Sequence, residues 1–433
     1  MSVRKKRLLF VVAALSAVAL ISGACAREGG GGAQAGDCSS EGLQALGAPR
    51  PNLSGEFKLA KAKDTDSSLL AQGKKTVKLG VFGDLTGQNS QLVVHIRNAA
   101  IMAAEQANAA GDLPVTIAIE QYDNKDGGPD PAPALAQKAI GDPAVLGIIG
   151  PAFSGETEAA APLFAQAGLT TLSASATRTD LTTKGWRTFF RAVGNDDSQG
   201  EIGPMVVDTM GCEKVALVDD KSAYGAGLAA VVEQSVEGAG GEIALREGIE
   251  PTTDYTSLVD SLLAEDPDLV YYAGYSSQSS LVVKQYREKG GEAVFMTGDG
   301  SKDTVYLEQG QPGNDESLLT CPCGDATQSD DAKLQEFASE YQERFDEPAG
   351  VYGAEGWDVA QMFIAALKAG GANPTRASVL EHITNLKDFA GITKTFNWTT
   401  PGHEVAEENL QIYGYRVDDG KYILLGTIEE LSS

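Results

Sequence analysis

The chain is poor in the residues on which hydrolytic and redox chemistry usually depend. Its 433 residues hold three histidines, His95, His382 and His403. None of them sits in an H-E-x-x-H pair or beside a cysteine cluster. No G-x-S-x-G elbow and no G-x-x-x-x-G-K-[ST] loop occurs. Paired carboxylates are present, Asp196-Asp197 and Asp219-Asp220, but their surroundings read as turns or hinges, not as acid/base pairs. A secreted enzyme is therefore the reading with least support, and no catalytic residue, cofactor or metal is expected. Basic charge is also scarce: 34 Lys+Arg stand against 60 Asp+Glu, a formal net charge of -26. That balance argues against nucleic acid as a partner and against a basic membrane-binding face.

Only one long apolar run is present. Leu8 to Ile21 follows the basic cluster Arg4, Lys5, Lys6 and Arg7, and is too short to span a bilayer comfortably. Residues 1–24 are therefore expected to be a signal peptide. Ile21-Ser22-Gly23-Ala24-Cys25 is similar to a bacterial lipobox, which would make Cys25 a lipidated first residue. Ser22 departs from the usual aliphatic residue there, and ordinary cleavage around Ala24-Cys25-Ala26 is the alternative. Residues 25–75 read as a flexible tether followed by a polar arm. The expected location is extracytoplasmic, at the outer face of the cell membrane, with contact to the membrane only through the lipid anchor.

Five cysteines occur. With Cys25 lipidated, Cys38, Cys212, Cys321 and Cys323 remain, and four cysteines allow three full pairings. Pairings of Cys321 or Cys323 with Cys38 or Cys212 are expected. Cys321-Pro322-Cys323 lacks the spacing and partner ligands of a zinc or redox motif.

From Thr76 onward strands and helices alternate. Strands are expected at Val77–Phe82, Val115–Tyr122, Val145–Ile149 and Leu169–Leu172, with helices at Val93–Ala109, Ala132–Ile140 and Glu156–Gln166. The rhythm restarts after Asp196: a helix at Ile202–Met210, then strands at Lys214–Asp219, Glu242–Arg246, Leu269–Tyr272 and Ala293–Thr297, separated by helices at Gly225–Glu237, Tyr255–Ala264 and Ser279–Lys289. Three helices follow, Asp330–Phe345, Tyr352–Lys368 and Arg376–Leu386. Two strands close the chain, Leu410–Val417 and Lys421–Gly426, around an Asp418-Asp419-Gly420 turn. This is an α/β chain too long for one core. It predicts two doubly wound, Rossmann-like lobes joined by a multi-strand hinge: 76–197 with 322–400, and 198–321 with 401–433.

Gly150 to Thr182, GPAFSGETEAAAPLFAQAGLTTLSASATRTDLT, carries the most specific signal. Two successive strand ends open into turns rich in small hydroxyls, Ser154 in the first and Ser173 to Thr177 in the second. In an open parallel sheet ligands sit at the carboxyl ends of strands, and free N–H groups there suit an anion such as a carboxylate. Ser154 and Thr177 as mere caps and turn formers is the bland alternative.

The blocks VKLGVFGDLTG, GIIGPAFSGETEAAAP, TLSASATRTDLT, FFRAVGNDDSQG, KVALVDDKSAYGAGLA, DLVYYAGYSSQSSLVVKQYREKG and VFMTGDG stand in order along Val77 to about Ile428. In that order and spacing the chain resembles the branched-chain amino acid (Leu/Ile/Val) binding proteins of ABC transporters, periplasmic binding proteins of type I. The resemblance implies a solute-binding lipoprotein that closes two lobes on an amino acid and hands it to ABC permease membrane subunits. It implies that Ser154, Ser175 and Thr177 hold the ligand's α-carboxylate and that Asp299 holds its ammonium. Tyr224 and Tyr275 would border the ligand. Asp299 stands where a glutamate is common, which shortens its reach, and Leu92 falls near the place of an aromatic found in some relatives. A binding protein for amides or other small polar solutes, acting on a separate signalling partner, is the alternative on the same fold.

Overall fold

In a computed structural model, the described residues are Cys38, 73–125, 128–400 and 402–432. The signal peptide, Cys25 and nearly all of the arm lie outside them. Strands β1 (Thr76–Gly83), β2 (Thr116–Asp123), β3 (Val145–Ile149), β4 (Thr170–Ser173) and β5 (Phe189–Arg191) form a parallel sheet in the order β2-β1-β3-β4-β5. Between them run α1 (Gln91–Ala110), α2 (Ala132–Gly141) and α3 (Ser154–Ala167). Both faces of this sheet are covered. Val77, Leu79 and Val81 of β1 belong to one apolar cluster, and Phe82 to another with Tyr122, Ala136 and Phe164. That is the near-continuous apolar character of a strand buried on both sides.

A short helix α4 (Asp196–Gly200) leads to the second unit: β6 (Lys214–Asp219), α5 (Ala223–Gly238), β7 (Glu242–Gly248), α6 (Thr256–Glu265), β8 (Leu269–Ala273), α7 (Ser276–Glu288), β9 (Val294–Thr297), α8 (Thr304–Gln309) and β10 (Leu318–Cys321). The chain then returns to the first sheet. Of α9 (Ala332–Phe345), α10 (Gly353–Ala369) and α11 (Arg376–Thr384), α9 packs on α1, α10 on α1 and β3, and α11 on β3 and β4. The two-residue strands β11 (Phe389–Ala390) and β12 (Thr395–Phe396) pair with each other. Finally β13 (Tyr413–Asp418) and β14 (Lys421–Thr427) make a hairpin, and α12 (Ile428–Leu431) ends the chain's described part. The hairpin adds antiparallel to β10, giving a seven-stranded sheet β14-β13-β10-β9-β8-β6-β7. Its turn has positive φ at Asp419 (47°) and Gly420 (70°), as a two-residue hairpin turn requires.

Two sheets with helices packed against them make two lobes. The described chain passes between the sheets three times, and the crossings meet. A Cβ placed on Gly194 would lie 3.0 Å from Ile412 Cδ1 and 3.3 Å from Pro322 Cβ. One apolar cluster continues through this region, from Val81 and Phe190 past Val193 and Cys321 to Val218 and Phe295.

Two expectations are corrected. Cys38 pairs with Cys212, and Cys321 pairs with Cys323, so neither bond joins the two sets. The reason is position. Cys212 lies just before β6, at the amino ends of the strands, whereas Cys321 ends β10 at the carboxyl side. Pro322 turns the chain so that the Cα atoms of Cys321 and Cys323 stand 5.0 Å apart, within disulfide reach. The helix expected at Ile202–Met210 is a single π-helical stretch, Pro204–Thr209, closed by the Met210 N–H donating to the Met205 carbonyl. Strands β5 and β10, three and four residues long, were too short for periodicity to reveal.

Candidate functional site

Asp299 lies in a short turn, Asp299–Ser301, directly beyond the carboxyl end of β9. The turn is pinned by hydroxyls. Thr297 Oγ1 donates to the Tyr272 carbonyl at 2.8 Å and contacts Ser301 Oγ at 2.8 Å, and Ser301 also meets Ser279 Oγ. Gly298 is needed for a close approach, because a Cβ there would stand 2.6 Å from the Tyr224 hydroxyl and 2.9 Å from Gln199 Nε2. The Asp299 carboxylate is 4% exposed and accepts two tyrosine hydroxyls. Tyr224, in the first turn of α5, donates to Oδ1 at 2.9 Å, and Tyr352, the residue before α10, donates to Oδ2 at 2.6 Å. Burial raises the Asp299 pKa, and the hydrogen bonds from Tyr352, Gln199 and Tyr224 hold it back. Because α10 packs on α1 while β9 belongs to the seven-stranded sheet, this carboxylate is gripped from both lobes.

Asp196, the first residue of α4, lies near this carboxylate and is fully buried. Its carboxyl is pushed up to about 8 by burial first and then by the negative charge of Asp299. The Thr177 hydroxyl favours its charged form but stops short of hydrogen-bonding geometry, so neither Asp196 oxygen has a partner among the described residues.

The hydroxyl turns of the first lobe have different surroundings. Gly150 takes φ +120° as β3 ends, and a Cβ there would meet the Phe82 carbonyl oxygen at 2.6 Å. Phe153 precedes α3, and the Glu156 carboxyl reaches back to accept the Phe153 N–H at 2.9 Å. Burial raises Glu156 well above the usual carboxyl range. Ser154 Oγ accepts the Arg178 N–H at 3.2 Å. Ser173 Oγ donates to the Pro151 carbonyl and accepts the Ala176 N–H, and Ser175 Oγ donates to the Ala152 carbonyl at 2.8 Å. Thr177 Oγ1 alone has no partner among the described residues. Beneath the turn the buried Arg191 guanidinium donates to the carbonyls of Ala176, Arg178 and Thr179, and pairs with Glu404. Arg178 and Asp180 form a half-buried ion network with Glu158 and Lys184.

The lobes touch through aromatic rings and polar side chains. Tyr275 stacks edge-on against Phe153 at 5.3 Å and lies 5.2 Å from Tyr224. Ser277 Oγ donates to Asn89 Oδ1 at 3.0 Å. A crevice cavity of about 490 Å³ lies between the lobes, lined by Asn89, Gly155, Ser222, Tyr275 and Gln278 among others. Of the residues expected at the site only Tyr275 lines it. Ser154, Thr177, Tyr224 and Asp299 are buried outside its lining, and Leu92 packs in the apolar core.

The sequence profile of the periplasmic binding protein family matches residues 76–421. The chain belongs to this family. Relatives in this family are binding proteins by name. The leucine-, isoleucine-, valine-, threonine- and alanine-binding protein of Pseudomonas aeruginosa is 27% identical over 336 residues, covering 75% of this chain and 89% of that protein. The leucine-binding protein of Thermotoga maritima superposes with a TM-score of 0.73 at 20% identity, over 81% of this chain and 98% of its own. A branched-chain amino acid transporter substrate-binding protein of Streptococcus pneumoniae, solved with isoleucine, gives 0.73 at 24% identity, over 80% and 98%. At those identities the structures share the fold alone with the family member described here.

Set against this family fold, the expected residues divide. Tyr224, Tyr275 and Asp299 come together, Ser154, Ser175 and Thr177 line two adjacent turns, and Asp196 brings Thr177 toward Asp299 through its N–H bond to the Thr177 carbonyl at 2.8 Å. Tyr352, Asp196, Gln199 and Phe153 were not anticipated. Asp196 had a visible signal in Asn195-Asp196-Asp197-Ser198, but as a helix start with acidic residues in its first turn, which explains those carboxylates locally.

Proposed function

We propose that this chain is the extracytoplasmic solute-binding component of an ABC importer. It takes an amino acid, branched-chain-like, or a related small zwitterion between its lobes and closes on it by hinge bending. The observation that carries this reading is the buried Asp299 carboxylate held by Tyr224 from one lobe and Tyr352 from the other. A carboxylate so placed suits an ammonium, and its hydrogen bonds complete only when the lobes are together, which couples ligand to closure. Ser154, Ser175 and Thr177 are assigned to the ligand's carboxylate through hydroxyls and turn N–H groups, and Tyr224 and Tyr275 to its apolar flank. The names of the Pseudomonas and Streptococcus relatives support amino-acid binding. Lobe limits at 76–197 with 322–400 and 198–321 with 401–433, a lipid on Cys25, and docking to permease membrane subunits belong to the same proposal.

A thermal-shift screen with the proteinogenic amino acids and small neutral amides tests it. A ligand at a hundredfold excess over its Kd adds about 2.7 kcal/mol, a shift of a few degrees in a protein of this size. Stabilisation by aliphatic amino acids, with a smaller scattering radius, is the expected outcome. Stabilisation by amides alone would replace the zwitterion with a neutral solute.

A further inference from the structure

Lys302, in the link from the Asp299 turn to α8, is a buried cation, 5% exposed. Its ammonium lies 4.3 Å from the centre of the Tyr415 ring and 5.5 Å from that of Tyr422, and makes no hydrogen bond or ion pair among the described residues. The negative charges around it are engaged elsewhere. Asp325 accepts the Thr327 N–H and hydroxyl and the Gln328 amide, and Glu355 accepts the Gly324 N–H. Asp303, next to it in sequence, accepts the Ser276 hydroxyl and the Tyr306 N–H. Tyrosine faces offset part of the cost of burying an ammonium, but they supply no acceptor for its N–H groups.

Lys302 lines a cavity of about 30 Å³ with Gln91 and His95 of α1, Thr304, Gly350 and Tyr422. None of these residues lines the crevice at Tyr275. A water needs about 10–15 Å³ of such space, so one or two water-sized atoms fit. Two further side chains turn donors to it. The Tyr341 hydroxyl accepts the Asn98 amide at 3.1 Å, and His95 Nδ1, at 2.8 Å, is the one acceptor it reaches among the described residues. His95 is neutral, held down to about 4 by burial first and then by the Arg97 and Lys302 charges. With Nδ1 accepting, its hydrogen sits on Nε2. Gly350 leaves that edge its room, since a Cβ there would stand 2.4 Å from Nε2. Gln91 Oε1 accepts the Thr304 hydroxyl at 3.4 Å, and its NH₂ group has no acceptor among the described residues.

We propose that this cavity binds one small monovalent anion of about halide size, held by Lys302 Nζ, His95 Nε2–H and the Gln91 amide. Charge-assisted N–H bonds to an anion are the strong kind, and an anion meets the ammonium's charge as well as its hydrogen bonds. Water meets only the latter. Gln91 and His95 belong to the first lobe, Lys302 and Tyr422 to the second, and the donors meet with the lobes together. A bound anion therefore favours that arrangement. The site is independent of which solute the crevice takes.

The test is the melting temperature of the wild type and of Lys302→Met as sodium chloride replaces sodium gluconate at constant ionic strength, so that general screening cancels. Gluconate is too large for the cavity, and methionine keeps most of the lysine's bulk without its charge. The wild type is expected to rise by a few degrees as chloride saturates the site, and Lys302→Met to stay level. Equal responses in both proteins, or none in the wild type, overturn the proposal. A sodium formate series separates the sources: a larger rise than with chloride, again lost in Lys302→Met, supports the site and assigns it to a small carboxylate. Chloride NMR line width needs no variant. Saturable broadening by the wild type that bromide reverses supports the site, and broadening that does not saturate, or none, overturns it.

Discussion

The two polar clusters of the candidate site are finished to different degrees. At the hydroxyl turns of the first lobe, Ser154, Ser173 and Ser175 already have backbone partners, and Arg191 holds the carbonyls of the turn from below. At the acidic end, Asp299 is gripped by two tyrosines, but Asp196 beside it has no donor among the described residues. The first is a scaffold whose side chains set the shape of the backbone, so that in the proposed function its N–H groups are what meets the ligand. The second carries an electrostatic demand that the protein alone does not meet. In the proposed function a ligand fits against the first cluster and completes the second.

Substitutions at the two ends separate these roles. The largest effect belongs to Asp299→Ala. With the ammonium left facing no counter-charge there, affinity for an amino acid should fall by about 2–5 kcal/mol, read by calorimetry, while an unchanged Kd would remove Asp299 from the site. Next comes Tyr352→Phe, which deletes one hydrogen bond to a charged group, worth about 1.5–3 kcal/mol. Since Tyr352 reaches Asp299 from the other lobe, the loss should also be visible as a larger ligand-bound scattering radius. A change in affinity with no change in radius would mean that Tyr352 binds without closing.

Much of the fold was legible because its information is local. The alternation of apolar strands and amphipathic helices gave β1 to β4 and α1 to α3 nearly to the residue, and Asp418-Asp419-Gly420 gave the hairpin. The tandem turns at Ser154 and Ser173–Thr177 and the block carrying Asp299 were readable for the same reason. What escaped depends on distance along the chain. Tyr352 opens a helix 53 residues beyond Asp299, and in its own segment it looks like an ordinary core aromatic. The disulfides depend on which ends of the strands face each other, which no spacing encodes. Asp196 was classed with hinge carboxylates because a helix start accounts for it locally, and only its burial beside a second carboxyl marks it out.

The smaller predictions probe the scaffold end. Thr177→Val keeps the shape and removes a hydroxyl that has no partner among the described residues. Its removal costs the fold nothing it was using, so stability should hold or rise slightly while affinity falls by about 1 kcal/mol. Ser175→Ala should do the reverse. It deletes the bond to the Ala152 carbonyl, so the denaturation midpoint should drop by an amount equal to about 0.5–1.5 kcal/mol, with affinity changing less than stability. The pair forms a crossed test: one hydroxyl spent on the ligand, one spent on the turn. If Ser175→Ala weakened binding more than Thr177→Val did, its hydroxyl would have to leave the Ala152 carbonyl to meet the solute. The scaffold end would then be as unfinished as the acidic one.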